Sequence, residues 1–463
     1  MAADIERYRA RSLWLDGALA AGSLRPSLAG SATADVVVVG AGFTGLWAAY
    51  ALSLAKPKLR ILVLEAETVG YGASGRSGGF VSAGIAGESR VYARRAGAEA
   101  VIRAERAMID GIDWIGAVVA GEGINCGWVK DGAFRVATSR SQLERVAAGI
   151  AAKRARGYGE DEFREVSAGE LADEIRIAGA LGGSFTPHCA RVDPALLARG
   201  LADACERRGV VIHERTQVTS IGSGSVTTAA GLVRAGVVLR ATEAFTTRLP
   251  GERRRYLTLR SHMLATEPLQ PEVWAEIGWE RRAPIADQRY QFLYGQRTRD
   301  DRIALGGRGL DYTLGGAIRE QDEANARIHR RLEHDLRRLF PAAREAAITH
   351  RWAGTFAAPR DWSMGVDFDR SSGLGWAGGY SGHGVVASSL AGRTLAALVL
   401  GEEDDLTTLP WVGHRARRWE PEPLRWIAAH TIAAVLHGAD RAEDRTSRPA
   451  RRVALVRRWI PGR

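Results

Sequence analysis

The sequence predicts an α/β fold in which the chain leaves and re-enters a parallel-sheet domain, interleaved with an α+β domain on a mixed or antiparallel sheet. Three observations predict it. An unbroken β-branched run at residues 36–39 is followed at once by Gly40, Gly42 and Gly45 and then by an apolar, alanine-rich stretch, the strand, turn and helix of a parallel unit buried on both faces. Two more glycine-rich turns follow, at residues 72–79 and 378–384. Between them, stretches such as residues 257–266, 290–294 and 302–306 alternate with the two-residue period of strands covered on one face. A chain of 463 residues accommodates two such domains around a sizeable core.

Taken in order, residues 1–33 read as an approach segment. Ser12, Leu13, Trp14, Leu15, Asp16 and Leu19 suggest one short amphipathic turn, with Trp14 expected to dock on the body, and residues 24–33 form a Pro/Gly/Ser linker. The first glycine turn has G-x-G-x-x-G spacing: Gly40 permits the tight turn, Gly42 lets backbone approach a pyrophosphate, and Gly45 packs helix on strand. Ala41, Phe43 and Thr44 fill the turn, and the helix over residues 46–54 points its N-terminus at the phosphates. A second strand, residues 61–64, carries Glu65 and Ala66 at its tip. Glu65 stands twenty residues after Gly45, where a carboxylate can accept from both ribose hydroxyls, and this disfavours NADP. The domain is thus Rossmann-like. The second turn, Gly72, Ala73, Ser74, Gly75, Arg76, Ser77, Gly78 and Gly79, offers further backbone N–H groups and suits a ligand longer than NAD.

Residues 93–119 have the spacing of one long amphipathic helix, residues 128–137 read as two short strands around the Asp131-Gly132 turn, and residues 142–156 return to helix. Asp193 and Pro194 cap and start a helix closed by Gly209. Residues 210–214 and 216–221 are expected as strands of the parallel sheet. A charged helix over residues 319–340 is stopped by Pro341, residues 348–355 are expected to begin the last return to the first sheet, and the third glycine turn launches a helix over residues 385–400. Residues 423–436 form another amphipathic helix before an arginine-rich end. The expected division is an approach segment, 1–33; a discontinuous cofactor domain, 34–120, 185–250 and 350–400; a substrate domain, 121–184 and 251–349; and a helical extension with a basic tail, 401–463.

The formal charge of +11 is carried almost wholly by scattered arginine, since Lys56, Lys58, Lys130 and Lys153 are the only lysines. No nucleic-acid module accompanies it, so nucleic acid is not an expected partner. Cys126, Cys189 and Cys205 form neither a C-x-x-C pair nor an even framework, which fits a reducing, cytoplasmic setting without structural disulfides or a metal site. No signal sequence and no run of eighteen apolar residues is present, and no stable membrane association is expected.

The segment from Ala34 to Gly79, with its strand, G-x-G-x-x-G turn, helix, Glu65 and second glycine turn, resembles the FAD-binding N-terminus of the D-amino acid oxidase, glycine oxidase and sarcosine oxidase family, most of all its γ-glutamylputrescine-oxidase-like and aminophosphonate-oxidoreductase-like branch. The resemblance implies an FAD-dependent oxidoreductase in which an amine C–H passes hydride to flavin N5 and the resulting imine hydrolyses. O2 or another electron acceptor would reoxidise the flavin. It also implies backbone contact of Val218 with the adenine and a cofactor role for Ala241 and Thr242, where Glu243 replaces the usual Asn or Gly. A C-terminal FAD segment is implied by Gly354, Gly379, Tyr380, Ser381, Gly382, His383 and Gly384. Two departures bear on chemistry. Relatives with covalent flavin carry a cysteine upstream of the third turn, whereas none lies after Cys205, so non-covalent FAD is expected. The lysine that binds the substrate carboxylate in sarcosine-oxidase-like relatives is Val386 here, which tilts the expectation toward an amine whose carboxylate is remote or absent.

The candidate catalytic residues are His383 and Tyr380, fixed by the third turn, with Arg76 and His262; a structural role for His262 is the simpler reading. Tyr290, Phe292, Tyr294 and Trp376 could line an amine pocket, because aromatic faces attract cations. Oxidation of a C–OH bond by a 2-hydroxy-acid dehydrogenase of the same fold, or flavin binding without amine oxidation, are the alternatives.

Overall fold

The computed structural model describes residues 2–20 and 22–456; the end of the basic tail, residues 457–463, lies outside the described residues. Its first sheet runs in the order Gly365–Asp369, Leu374–Gly378, Gly231–Arg240, Ala32–Val39, Ile61–Leu64, Val211–His213. Ala32–Val39 lies at the centre, parallel to Gly231–Arg240 on one side and Ile61–Leu64 on the other. Val36, Val37, Val38 and Val39 are all buried, as a β-branched run covered on both faces should be.

One face is covered by helices Phe43–Ala55, Ala98–Gly121, Pro194–Arg207 and Gly384–Leu400, whose apolar sides form the largest core. Two of these approach closely because Gly392 has no side chain: a methyl group there would lie 2.6 Å from the Ala48 nitrogen. The other face is covered by Leu28 from the linker and by an antiparallel hairpin, Val218–Gly222 with Ser225–Thr228. That hairpin corrects the expected parallel strand at 216–221. Val218–Gly222 pairs only with its hairpin partner, because the chain turns at Gly224 (φ +72°) and doubles back.

The second sheet runs Ile348–Ala358, Leu257–Thr266, Ile303–Asp311, Leu293–Arg297, Ile285–Asp287, Ala133–Ala137, Gly182–Thr186, Arg164–Ser167. It is antiparallel except between Ile285–Asp287 and Ala133–Ala137. Helix Ala326–Leu339 buries Ile328, Leu332, Leu336 and Leu339 against it, in one core with Trp274, Trp279 and Phe340. Ile348–Ala358 was expected to begin the return to the first sheet. It pairs instead along Leu257–Thr266, and the first sheet resumes only at Gly365. The expected 93–119 helix is two, Ser89–Ala96 and Ala98–Gly121, broken at Gly97 with φ +85°. Of the two short strands expected at 128–137, only Ala133–Ala137 forms, with Val129 making a single bridge to Arg191.

The approach segment is built in. Ser12 caps helix Leu13–Leu19, accepting from the Leu15 N–H at 3.1 Å, and donates to the Gly75 carbonyl at 2.8 Å. Trp14 is buried and its indole N–H donates to the Ser77 carbonyl at 2.9 Å. The N-terminal helix therefore holds the second glycine turn from behind.

Gly45, in the first turn of helix Phe43–Ala55, packs closely on the central strand and its turn: an added methyl would stand 2.0 Å from the Gly40 carbonyl oxygen and 3.0 Å from Val38 Cγ1. Gly45→Ala is expected to destabilise the protein by on the order of 3 kcal/mol, since backbone must move to admit the methyl. Chemical denaturation measures this, and an unchanged midpoint would contradict the close packing.

Candidate functional site

The three glycine turns meet at one end of the first sheet, where strands hand over to helices, the crevice in which open α/β sheets take ligands. They border a single cavity of about 1660 Å³ that continues over the face of the second sheet. Helices Phe43–Ala55 and Gly384–Leu400 both open on it without a side-chain cap, which leaves backbone N–H groups for an anionic ligand.

The turns are tied to one another by side chains. Ser74 of the second turn accepts from the Phe43 N–H at 2.9 Å, and Thr44 shares a 2.8 Å hydrogen bond with the Tyr380 hydroxyl of the third. Gly40 has φ +106° and lies so near Ala241 that a methyl would come 2.7 Å from its carbonyl oxygen. Glu65 accepts from the Ala41 N–H at 2.7 Å and the Glu67 N–H at 3.0 Å, and burial pushes its carboxyl up to about 7 against those bonds. Both glycine turns and the acid thus suit a long dinucleotide lying across the sheet end.

Gly40, Gly42, Phe43, Thr44, Glu65, Ala66, Gly72, Ala73, Ser74, Arg76, Ser77 and Gly78 line the cavity, as do Val218, Ala241, Thr242, Gly354, Tyr380, Ser381, Gly382, His383 and Gly384. Four expected cofactor residues do not. Ala41 and Gly45 form the packed floor of the turn, Gly79 (φ +72°) backs onto the Val192 carbonyl, and Gly379 (φ +82°) backs onto Pro359.

The candidate catalytic residues separate. His383 precedes helix Gly384–Leu400, is exposed to the cavity, and packs its ring beside Gly84. Tyr380 touches the cavity, but its hydroxyl is spent on Thr44 and burial pushes the phenol well above its ordinary value, so it stays neutral. Arg76 is turned onto Glu323 and over the Tyr71 ring, 4.3 Å from its centroid. His262 is corrected: it is fully buried outside the cavity wall, with Nε2 2.8 Å from Asp311, on the strand face that packs against His329. Of the aromatic candidates, Tyr290, Phe292 and Tyr294 line the cavity, although Tyr290 and Phe292 sit in the turn before strand Leu293–Arg297. Trp376 does not line it. Its strand turns the ring toward Gly365 and the Arg240 guanidinium, 5.6 Å away. Val386 is buried against Gly111 of helix Ala98–Gly121, so a side chain there would point into the core and the substrate argument drawn from it fails.

Glu243 is the residue that sequence reasoning undervalued. Held at φ +41° after strand Gly231–Arg240, it accepts from the Ala357 N–H at 2.7 Å, the Gly379 N–H at 3.1 Å and the Tyr380 N–H at 3.2 Å. One carboxylate thereby joins the first sheet, the second sheet and the third glycine turn. The C-terminal helix Leu424–Thr446 was also read too plainly as a packed extension: Asp440 accepts from the Tyr290 and Gln291 N–H groups, and Glu443 pairs with Arg145 at 2.7 Å, so the helix buttresses the outer wall of the cavity. Among the described residues no cluster of three or more His, Cys, Asp or Glu could hold a metal, and no helix is long and apolar enough to cross a membrane.

Burial pushes the Glu243 carboxyl up to about 7, outweighing its three N–H partners. A carboxyl raised in the folded state stabilises fully below its unfolded value and loses that contribution as pH rises through the folded one. Wild type is therefore expected to lose stability relative to Glu243→Gln between pH 4.5 and about 7. Denaturation midpoints of the two flavin-free proteins across that window test this, and a constant difference would contradict it.

Comparison with known proteins agrees with the geometry. Residues 35–398 match the family described as FAD dependent oxidoreductase, DAO. The chain is 30% identical over 386 residues to a probable oxidoreductase, OrdL, of Haemophilus influenzae, covering 81% of this chain and 84% of that one. It is 29% identical over 403 residues to γ-glutamylputrescine oxidoreductase of Escherichia coli, covering 84% and 90%. The fold matches the crystal structure of glycine oxidase from Geobacillus kaustophilus with a TM-score of 0.69 at 22% identity, over 83% of this chain and all of that one. The chain belongs to the DAO family of FAD-dependent oxidoreductases.

Proposed function

We propose that this enzyme oxidises the C–N bond of a small amine or amino acid, using non-covalently held FAD. The observation that carries the proposal is the continuity of an aromatic wall with the cofactor cradle. Tyr294 stands so close to the second glycine turn that a methyl at Gly78 would meet its ring at 2.6 Å, and Phe80 and Phe292 lie edge-on and tilted against it, with centroids 5.7 and 5.9 Å away. An ammonium entering the cavity meets aromatic faces next to the cradle. FAD, when bound, supplies a two-electron acceptor for the C–H bond beside the nitrogen and leaves an imine that water hydrolyses.

The chain's own part is to bind and orient. Glu65 and the uncapped Phe43–Ala55 helix would hold ribose and pyrophosphate, and Val218 would face the adenine. The uncapped N-terminus of Gly384–Leu400 would add its partial positive charge and free N–H groups to the hold on the cofactor. His383, exposed at that turn, is placed to hold or move a proton. The Tyr294 hydroxyl, 2.8 Å from Ser261 and pushed up to about 12 by burial, fixes the aromatic wall as a neutral phenol. The curated relatives named for γ-glutamylputrescine and the structural neighbours named for glycine and other amino acids support a nitrogen substrate.

Amines or amino acids are expected to bleach the flavin anaerobically, whereas bleaching by 2-hydroxy acids alone would overturn the proposal. Acid precipitation should release all the flavin into the supernatant; flavin held in the pellet would refute non-covalent binding. Glu65→Ala should weaken FAD affinity about tenfold or more, as loss of charge-assisted hydrogen bonds does, and fluorescence titration of the flavin-free protein measures it.

A further inference from the structure

Past the aromatic wall the cavity reaches Arg135, a cation without an ion pair among the described residues. Arg135, in strand Ala133–Ala137, projects from the face opposite to the buried Phe134 and Val136 and lines the cavity. It is surrounded by protein, yet keeps accessible surface because that surface opens on the cavity. Several cations of the wall are neutralised, namely Lys153 and Arg156 by Glu105, Arg145 by Glu443, Arg260 by Asp311 and Arg76 by Glu323. Arg135 has no hydrogen bond or ion pair among the described residues. Cys189 beside it supplies no counter-charge, since burial pushes its thiol up to about 12. Crowding by the surrounding protein draws the Arg135 guanidinium below its ordinary value, with no carboxylate beside it to offset the effect.

Register fixes its distance from the cofactor end. Tyr294 pairs with Ala286, Ala286 with Arg135, and Arg135 with Ser184. These residues form one row across adjacent strands and share one face of the sheet. At about 4.8 Å per strand the Arg135 backbone lies roughly 10 Å from that of Tyr294, with only the small Ala286 between. The row leads from the aromatic wall at Gly78 to an unpaired guanidinium, and a planar fork of donors matches a carboxylate.

We propose that Arg135 receives a carboxylate carried by the substrate several bonds away from the C–N bond that is oxidised. The substrate class is then an ω-amino acid or an amine conjugated to an acidic group, rather than an α-amino acid or a plain alkylamine. This rests on the amine-oxidising reading above and gives that reading its substrate class.

Two measurements on the FAD-loaded enzyme separate the proposal from that reading. Isothermal titration with hexanoate is expected to show affinity about ten- to hundredfold weaker in Arg135→Gln than in wild type, with part of it restored in Arg135→Lys. Anaerobic flavin reduction by 6-aminohexanoate is expected to exceed that by hexylamine in kcat/KM for wild type, and the preference should collapse in Arg135→Gln. The flavin spectrum and circular dichroism check that each variant is folded and loaded. Equal hexanoate affinity in wild type and Arg135→Gln overturns the role of Arg135 even where amines are oxidised. Unequal affinity with no flavin reduction by either amine sustains the carboxylate site and overturns the amine reading instead.

Discussion

The arrangement depends on one half-buried carboxylate. Glu243 sits between two sheets that share no strand, and it accepts from backbone N–H groups of both the Ile348–Ala358 strand and the third glycine turn. Three donors converging on one half-buried acceptor group are costly to leave unmade. The third turn therefore cannot drift from the second sheet without exposing all three. Thr44 and Tyr380 add a second tie, from the first turn to the third. Ser74 adds another between the first and second. The cradle is rigid because its three glycine segments, which have no side chains of their own to lock them, borrow side chains from their neighbours.

The first sheet was legible because its signals are local. A β-branched run followed by glycines at fixed spacing states strand, turn and helix within twenty residues, and Gly45 carries its reason in the contact with Gly40. Capping at Asp193 is equally local. Pairing is not. The alternation in Ile348–Ala358 fits either sheet, and only its register with Leu257–Thr266 decides the matter. Trp376 shows the same limit, since one step of register along its strand determines whether the ring meets the cavity or Arg240.

Arg135 escaped notice for a related reason. In a chain rich in scattered arginine, a single one in a short strand looks like ordinary surface, and what distinguishes it is the absence of a partner, which only three-dimensional placement reveals. Glu243 was visible as a departure but not as a clamp, because its partners are 114 to 137 residues away in the chain. His262 was offered as a catalytic candidate because nothing local shows its partner: Asp311, 49 residues on, takes both His262 and Arg260, and the three form a polar support behind the cavity wall.

The wide spacing of the three glycine segments bears on biosynthesis. The first two cradle segments are complete by Gly79, but the third ends at Gly384, about 300 residues later. At roughly 5–20 residues per second, a ribosome takes about 15–60 s to cover that interval. During it, the nascent chain carries two-thirds of a phosphate cradle with neither Tyr380 to meet Thr44 nor Gly379 to meet Glu243. Closure of the cradle is thus a late event of synthesis, since Glu243 and Thr44 wait for the third segment before their ties to Gly379 and Tyr380 can form.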